Sequence, residues 1–111
     1  MFVRIYSGED GQSHFEELEL PTAPVGQAPF QAATGIGFRR SEPGDFMDWH
    51  NAPRRQYVIT LSGQVEFGIG DGTLRRMGVG DVLLAEDLTG RGHTSRGVSS
   101  EPRVCVAIPL A

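Results

Sequence analysis

The chain has no lysine: all ten of its basic side chains are arginines. Arginine forks grip carboxylates two-handed where an ammonium cannot, so any anion this protein binds would be met by guanidinium groups. There is one cysteine, Cys105, which excludes an internal disulfide and fits a reducing compartment. No apolar run approaches the roughly 20 residues needed to cross a bilayer. The start, Met-Phe-Val-Arg-Ile-Tyr, lacks the pattern of a secretory leader, so the expected location is cytoplasmic and no membrane partner is expected. Basic surplus is absent as well. With 14 acidic residues against ten basic ones the net charge is -4, which argues against nucleic acid as a partner because little affinity would come from displacing counterions off phosphates. Internal repeats and low-complexity tracts are missing too.

What is present is an ordinary globular composition, 39% hydrophobic and 22% charged, in 111 residues. That length is enough for one core and too little for two. A single domain over 1–111 is expected, with N-terminal strands and an extended connector over 1–30 and the main body over 31–111. Fifteen glycines and seven prolines cut the chain into strand-length pieces and leave little room for helix, which reads as an all-β sandwich or barrel. Phe2 to Tyr6 alternates as a first strand. Ser13-His-Phe-Glu16 has the pattern of a helix-capping box, but Leu18 and Leu20 alternate with Glu17 and Glu19, and strand is the preferred reading. Pro21 to Pro29 is an extended connector over the surface. Further strands are expected at 36–40, 46–50, 56–61, 65–69, 74–77, 81–85 and 104–110, with an Asp71-Gly72 hairpin. Val58, Thr60, Val65, Phe67, Ile69, Val82, Leu84, Val104, Val106 and Ile108 are expected to pack the core, and Cys105 to be a small buried hydrophobe rather than a nucleophile.

Three side chains stand out: His50, Gln56 and His93. Two glycine-punctuated segments carry them. In the first, Gly44 is followed by five residues and His50, then Ala52, then three residues and Gln56, then six residues and Gly63. The second opens at Gly80-Asp81 and closes at Gly90-Arg-Gly-His93. These segments resemble the two motifs of the cupin superfamily over roughly Gly44 to Arg96. The family's first motif places two histidines and a glutamate where this chain has His50, Ala52 and Gln56, and its second ends on a histidine where this chain has His93. Glu86 stands where a proline is usual. The resemblance implies a single-domain antiparallel jelly-roll barrel with its cavity inside.

The family's full ligand set, three imidazoles and a carboxylate, suits one divalent metal such as Fe, Mn, Ni or Zn. Here Ala52 removes one imidazole and Gln56 replaces the anion by an amide oxygen. His50, Gln56 and His93 would hold a metal with water in the open positions, or remain as hydrogen-bonding groups in a metal-free cavity. Asp48, Glu86 and Asp87 are nearby carboxylates that would substitute as ligands. Arg39 and Arg40 must face opposite sides of one strand, so one of them is expected to reach the cavity and pair with a substrate carboxylate. Thr60 shares a face with Gln56 and Val58 and joins Arg39 and Arg40 as a candidate substrate contact. Trp49 is expected on the face opposite His50. The expected function is a small-molecule-binding cupin with an anionic ligand. The alternative is a metal-dependent isomerase, dioxygenase or lyase, with Glu86 as the acid–base candidate. A homodimer is expected, formed by adding the apolar first strand to a neighbour's sheet.

Overall fold

The computed structural model describes residues 1–111, and every regular element in it is a β-strand. The strands are β1 (Phe2–Ser7), β2 (Ser13–Leu18), β3 (Gly37–Ser41), β4 (Phe46–His50), β5 (Gln56–Ser62), β6 (Val65–Gly68), β7 (Leu74–Met77), β8 (Val82–Glu86), β9 (His93–Gly97) and β10 (Arg103–Pro109). They form a six-stranded sheet in the order β2-β1-β8-β5-β10-β3 and a four-stranded sheet in the order β4-β9-β6-β7. One hydrophobic cluster joins the inner faces of both. Val3, Ile5, Val58, Leu83, Ala85 and Cys105 come from the larger sheet, and Val65, Phe67 and Met77 from the smaller. Val3 and Ile5 have no solvent exposure, and burying each contributes roughly 1.5–3 kcal/mol.

Alternation explains most of this. In β6, Val65 and Phe67 point inward while Glu66 points out to Arg76, 3.3 Å away. Strand β8 is apolar on both faces because it is central: Leu83 and Ala85 join the main cluster, whereas Val82 and Leu84 pack with Phe2, Tyr57 and Ile59 on the outside of the larger sheet. Ser13–Leu18 is strand, paired with β1 along its whole length, and the Ser13 hydroxyl donates to Asp87 instead of capping a helix. The connector after β2 is exposed over residues 19–36 and is tied down near its end, where the Thr34 N–H donates to the Pro109 carbonyl and the Ala111 N–H to the Ala32 carbonyl.

Three features depart from expectation. The pairing of β1 with β8 is parallel, the one exception to an otherwise antiparallel barrel. The two strands lie far apart in sequence, so no tight turn imposes an antiparallel arrangement on them. Strand β1 is also flanked on both sides, by β2 and β8, which uses up its hydrogen-bonding edges and removes the expected route to a dimer through it. Finally, β9 had no counterpart among the expected strands. His93-Thr-Ser-Arg-Gly97 has no apolar alternation, and it is a strand because β4 and β6 pair with it from either side.

Candidate functional site

A β-bulge sets the position of His50. Along β4 and β9, Met47 faces Ser95 and His50 faces His93, so three steps on one strand match two on the other. The extra residue lets Met47 and His50 both face inward although they are three apart, and leaves Trp49 outside with the Arg91 guanidinium over its ring at 3.9 Å. Gly92 closes the arrangement from behind. Its φ of +78° favours glycine, and a Cβ there would collide with the His50 carbonyl oxygen. The His50 and His93 rings lie 4.4 Å apart between centroids and are tilted by 60°.

Both rings are held by their Nδ1 atoms. His50 Nδ1 donates to the Asp48 carbonyl oxygen at 2.7 Å, and His93 Nδ1 donates to Asp87 Oδ2 at 2.6 Å. Asp87 has no solvent exposure and accepts a second hydrogen bond from the Ser13 hydroxyl at 2.8 Å on the same oxygen. In the neutral form of each ring this leaves Nε2 as a bare acceptor. Gln56 is 3% exposed, and its Oε1 is a buried acceptor with no donor. His50, Gln56 and His93 thus line one chamber of about 170 Å³, with Ala52, Val58, Phe67, Leu83 and Ala85 among its apolar walls. Ala52 presents a methyl group where the motif has its second histidine.

The β3–β10 register decides between the two arginines of the Arg39-Arg40 pair. Arg39 stands opposite Cys105, whose side chain is in the core, and lines the chamber; Arg40 stands opposite Val104 and pairs with Glu42 at 3.0 Å. A larger outer chamber of about 400 Å³ shares Arg39, Met47, Ser95 and Arg103 with the inner one and also reaches Arg40 and Arg96.

Arg103 escaped the sequence reading, yet it lines both chambers. The signal was there: Arg103, Cys105 and Ala107 alternate onto one face of β10, and the latter two are core residues. Burial lowers the Arg103 pKa and so does the nearby Arg39, while Cys105 acts to raise it. Its Nη2 reaches the Thr60 hydroxyl at 3.4 Å, its Nε is buried without an acceptor, and neither Arg103 nor Arg39 has a carboxylate within ion-pair distance. Thr60 itself lies behind the chamber wall and supports Arg103.

The other candidates lie elsewhere. Glu86 points away from the cavity and is clamped by Arg4 at 2.6 Å and by Arg55. Burial acts to raise its pKa, but the hydrogen bonds from Arg55 and Arg4 outweigh that and hold it below the usual glutamate value. A carboxylate so paired is a poor proton carrier, which removes the ground for an acid–base role. The Asp48 carboxylate is exposed and accepts from the Trp49 backbone. Of the three nearby carboxylates only Asp87 meets the site, from behind His93.

The chain matches no protein-family model and no curated protein. Solved structures do match. A double-stranded β-helix protein of Klebsiella pneumoniae is 20% identical, with 79% of this chain and 81% of that one covered at a TM-score of 0.53. A cupin domain of Bordetella pertussis is 19% identical, covering 68% and 79% at 0.54. A sugar phosphate isomerase from a cupin superfamily, from Silicibacter pomeroyi, is 18% identical, covering 92% and 60% at 0.56. This is the cupin fold.

Cupin motifs imply a metal, and the donor set tests that implication. Two imidazole nitrogens and one amide oxygen supply no negative charge, no acidic side chain lines the inner chamber, and no group of three His, Cys, Asp or Glu is placed to hold an ion. Arg39 and Arg103 bring two positive charges to the same cupin chamber. A divalent cation would enter a site that repels it, so these residues do not fit a resident metal.

Proposed function

We propose that the protein is a small-molecule-binding cupin whose chamber takes a small organic anion, with Arg103 and Arg39 as its counter-ions. The observation that carries this reading is Arg103. A part-buried guanidinium without a carboxylate partner, its Nε fully enclosed, leaves a cation and a buried donor unsatisfied, and evolution rarely leaves such a group unless something else neutralises it. The chamber around it is concave, apolar-walled and fitted with a few convergent polar groups, the common form of a ligand site. Its charge opposes that of the protein as a whole, which is -4.

The alternative of a metal-dependent enzyme draws on the Silicibacter pomeroyi isomerase, a likeness of fold. Against it stand the missing anionic ligand at Gln56 and the paired state of Glu86.

The test is a thermal-shift and calorimetric screen of small carboxylates and phosphate at constant ionic strength. Binding to the folded state raises the melting temperature, by a stabilisation that grows as the logarithm of one plus the ligand concentration over its dissociation constant. At least one anion should stabilise the wild type and leave Arg103→Gln unmoved. If no anion stabilises the protein beyond chloride, or if Arg103→Gln responds equally, the reading is wrong.

A further inference from the structure

Resting on that anion-binding reading, we infer that the ligand is a hydroxylated organic acid, held by its anionic group at Arg103 and Arg39 and by its hydroxyl groups at His50, His93 and Gln56. The two ends of the cavity differ in chemistry. Arg39 and Arg103, shared between the chambers, offer only donors. The far end offers acceptors: the Nε2 of each histidine, whose Nδ1 proton is already committed, and the Oε1 of Gln56, which is buried with no donor. Gln56 is 97% buried, by its 3% exposure, and it is one of the residues lining the chamber. An unmet buried acceptor of this kind calls for a ligand that donates.

Two ligand groups donate there, a hydroxyl and an ammonium. An ammonium would share a chamber with two guanidiniums and no acidic side chain to offset it. A hydroxyl carries no such penalty, and it accepts as well as donates, which suits the two-sided amide of Gln56. The mixed composition of the wall agrees: Val58, Leu83 and Ala85 line the same chamber and suit a carbon chain.

The experiment measures dissociation constants calorimetrically for three matched pairs that differ only in hydroxyl groups: lactate and propionate, tartrate and succinate, gluconate and hexanoate. Aspartate is measured beside succinate as the ammonium arm. A site built to hydrogen-bond hydroxyls discriminates strongly against analogues that lack them. The expected result is at least one hydroxylated acid binding tenfold or more tightly than its partner. Gln56→Met should erase that preference while keeping the weaker binding of the unsubstituted acid, and Arg103→Gln should abolish both. In ring-selective NMR, the His50 and His93 resonances should move with the hydroxylated acid and stay with its partner. Equal affinities within every pair overturn the hydroxyl inference and leave the anion reading standing. Tighter binding of aspartate than of any hydroxylated acid overturns it in favour of an ammonium. No binding by any of the seven acids overturns both readings.

Discussion

His50 and His93 face one another across the β4–β9 pair with ring centroids 4.4 Å apart, although they stand 43 positions apart in the sequence. One bulged residue in β4 makes this possible. Regular alternation counted from Met47 would have turned Trp49 into the cavity and His50 out of it. Each ring is then fixed by a different acceptor, a backbone oxygen for His50 and a buried carboxylate for His93.

Removing that carboxylate should be costly. Asp87→Ala leaves the Ser13 hydroxyl and His93 Nδ1–H buried without an acceptor, each worth about 1–3 kcal/mol. Urea unfolding should show a loss of at least about 2 kcal/mol, with Asp87→Asn losing less because its amide oxygen still accepts. An unchanged midpoint for Asp87→Ala would remove Asp87 from this role.

Arg103 should trade stability against binding. In the ligand-free protein its buried charge is uncompensated, so Arg103→Met, which keeps much of the stem packing, is expected to raise stability by on the order of 1 kcal/mol. For a domain of this size that is several degrees of melting temperature. The same variant should lose the anion-induced shift. A markedly less stable Arg103→Met protein would mean that the guanidinium is structural.

Acid sensitivity is expected at Glu86. Its pKa in the folded protein lies below the usual value of about 4.3, so its bonds to Arg4 and Arg55 stabilise the fold above that pH. The stabilisation disappears as the pH falls through the depressed folded value. Glu86→Gln should therefore cost about 1 kcal/mol near neutrality and nothing in strong acid, so that the two stability curves converge as the pH drops. Parallel curves down to pH 2, a bound below the ordinary range, would contradict this.

Metal content offers a fourth check. Protein purified without chelator is expected to carry far less than one equivalent of Fe, Mn, Ni or Zn, and His50→Ala should not change the figure. Anion affinity should be the same with and without added zinc. A full equivalent of metal in the wild type, lost in His50→Ala, would establish His50 as a ligand and overturn the electrostatic argument drawn from Arg39 and Arg103.

The strands were legible where alternation and turns agree, as in Val65–Gly68, Leu74–Met77 and the Asp71-Gly72 hairpin between them. Strand β9 was not, since its polar residues carry no period and only its two neighbours make it a strand. At the site, the grouping of His50, Gln56 and His93 was readable through the resemblance of their glycine-punctuated segments to the cupin motifs, and the structure places all three on one chamber. The choice of Arg39 over Arg40 was not readable, because it depends on which of them stands opposite Cys105. Glu86 looked available in sequence because nothing local announces Arg4 and Arg55, which reach it from other parts of the chain.

Sequence alone therefore settled the local matters: strand-length segments, the turns between them, and the candidate polar groups those turns bring round. These follow from backbone sterics and the two-residue repeat of a strand, which act over neighbouring positions. Only the tertiary structure decided which of those groups keep a free valence. Glu86 meets two arginines and is spent, Asp87 is buried behind His93, and Arg103 faces the cavity with no acid to meet it. Charge acts through space rather than along the chain, so the presence or absence of a counter-ion appears only when distant strands are brought together.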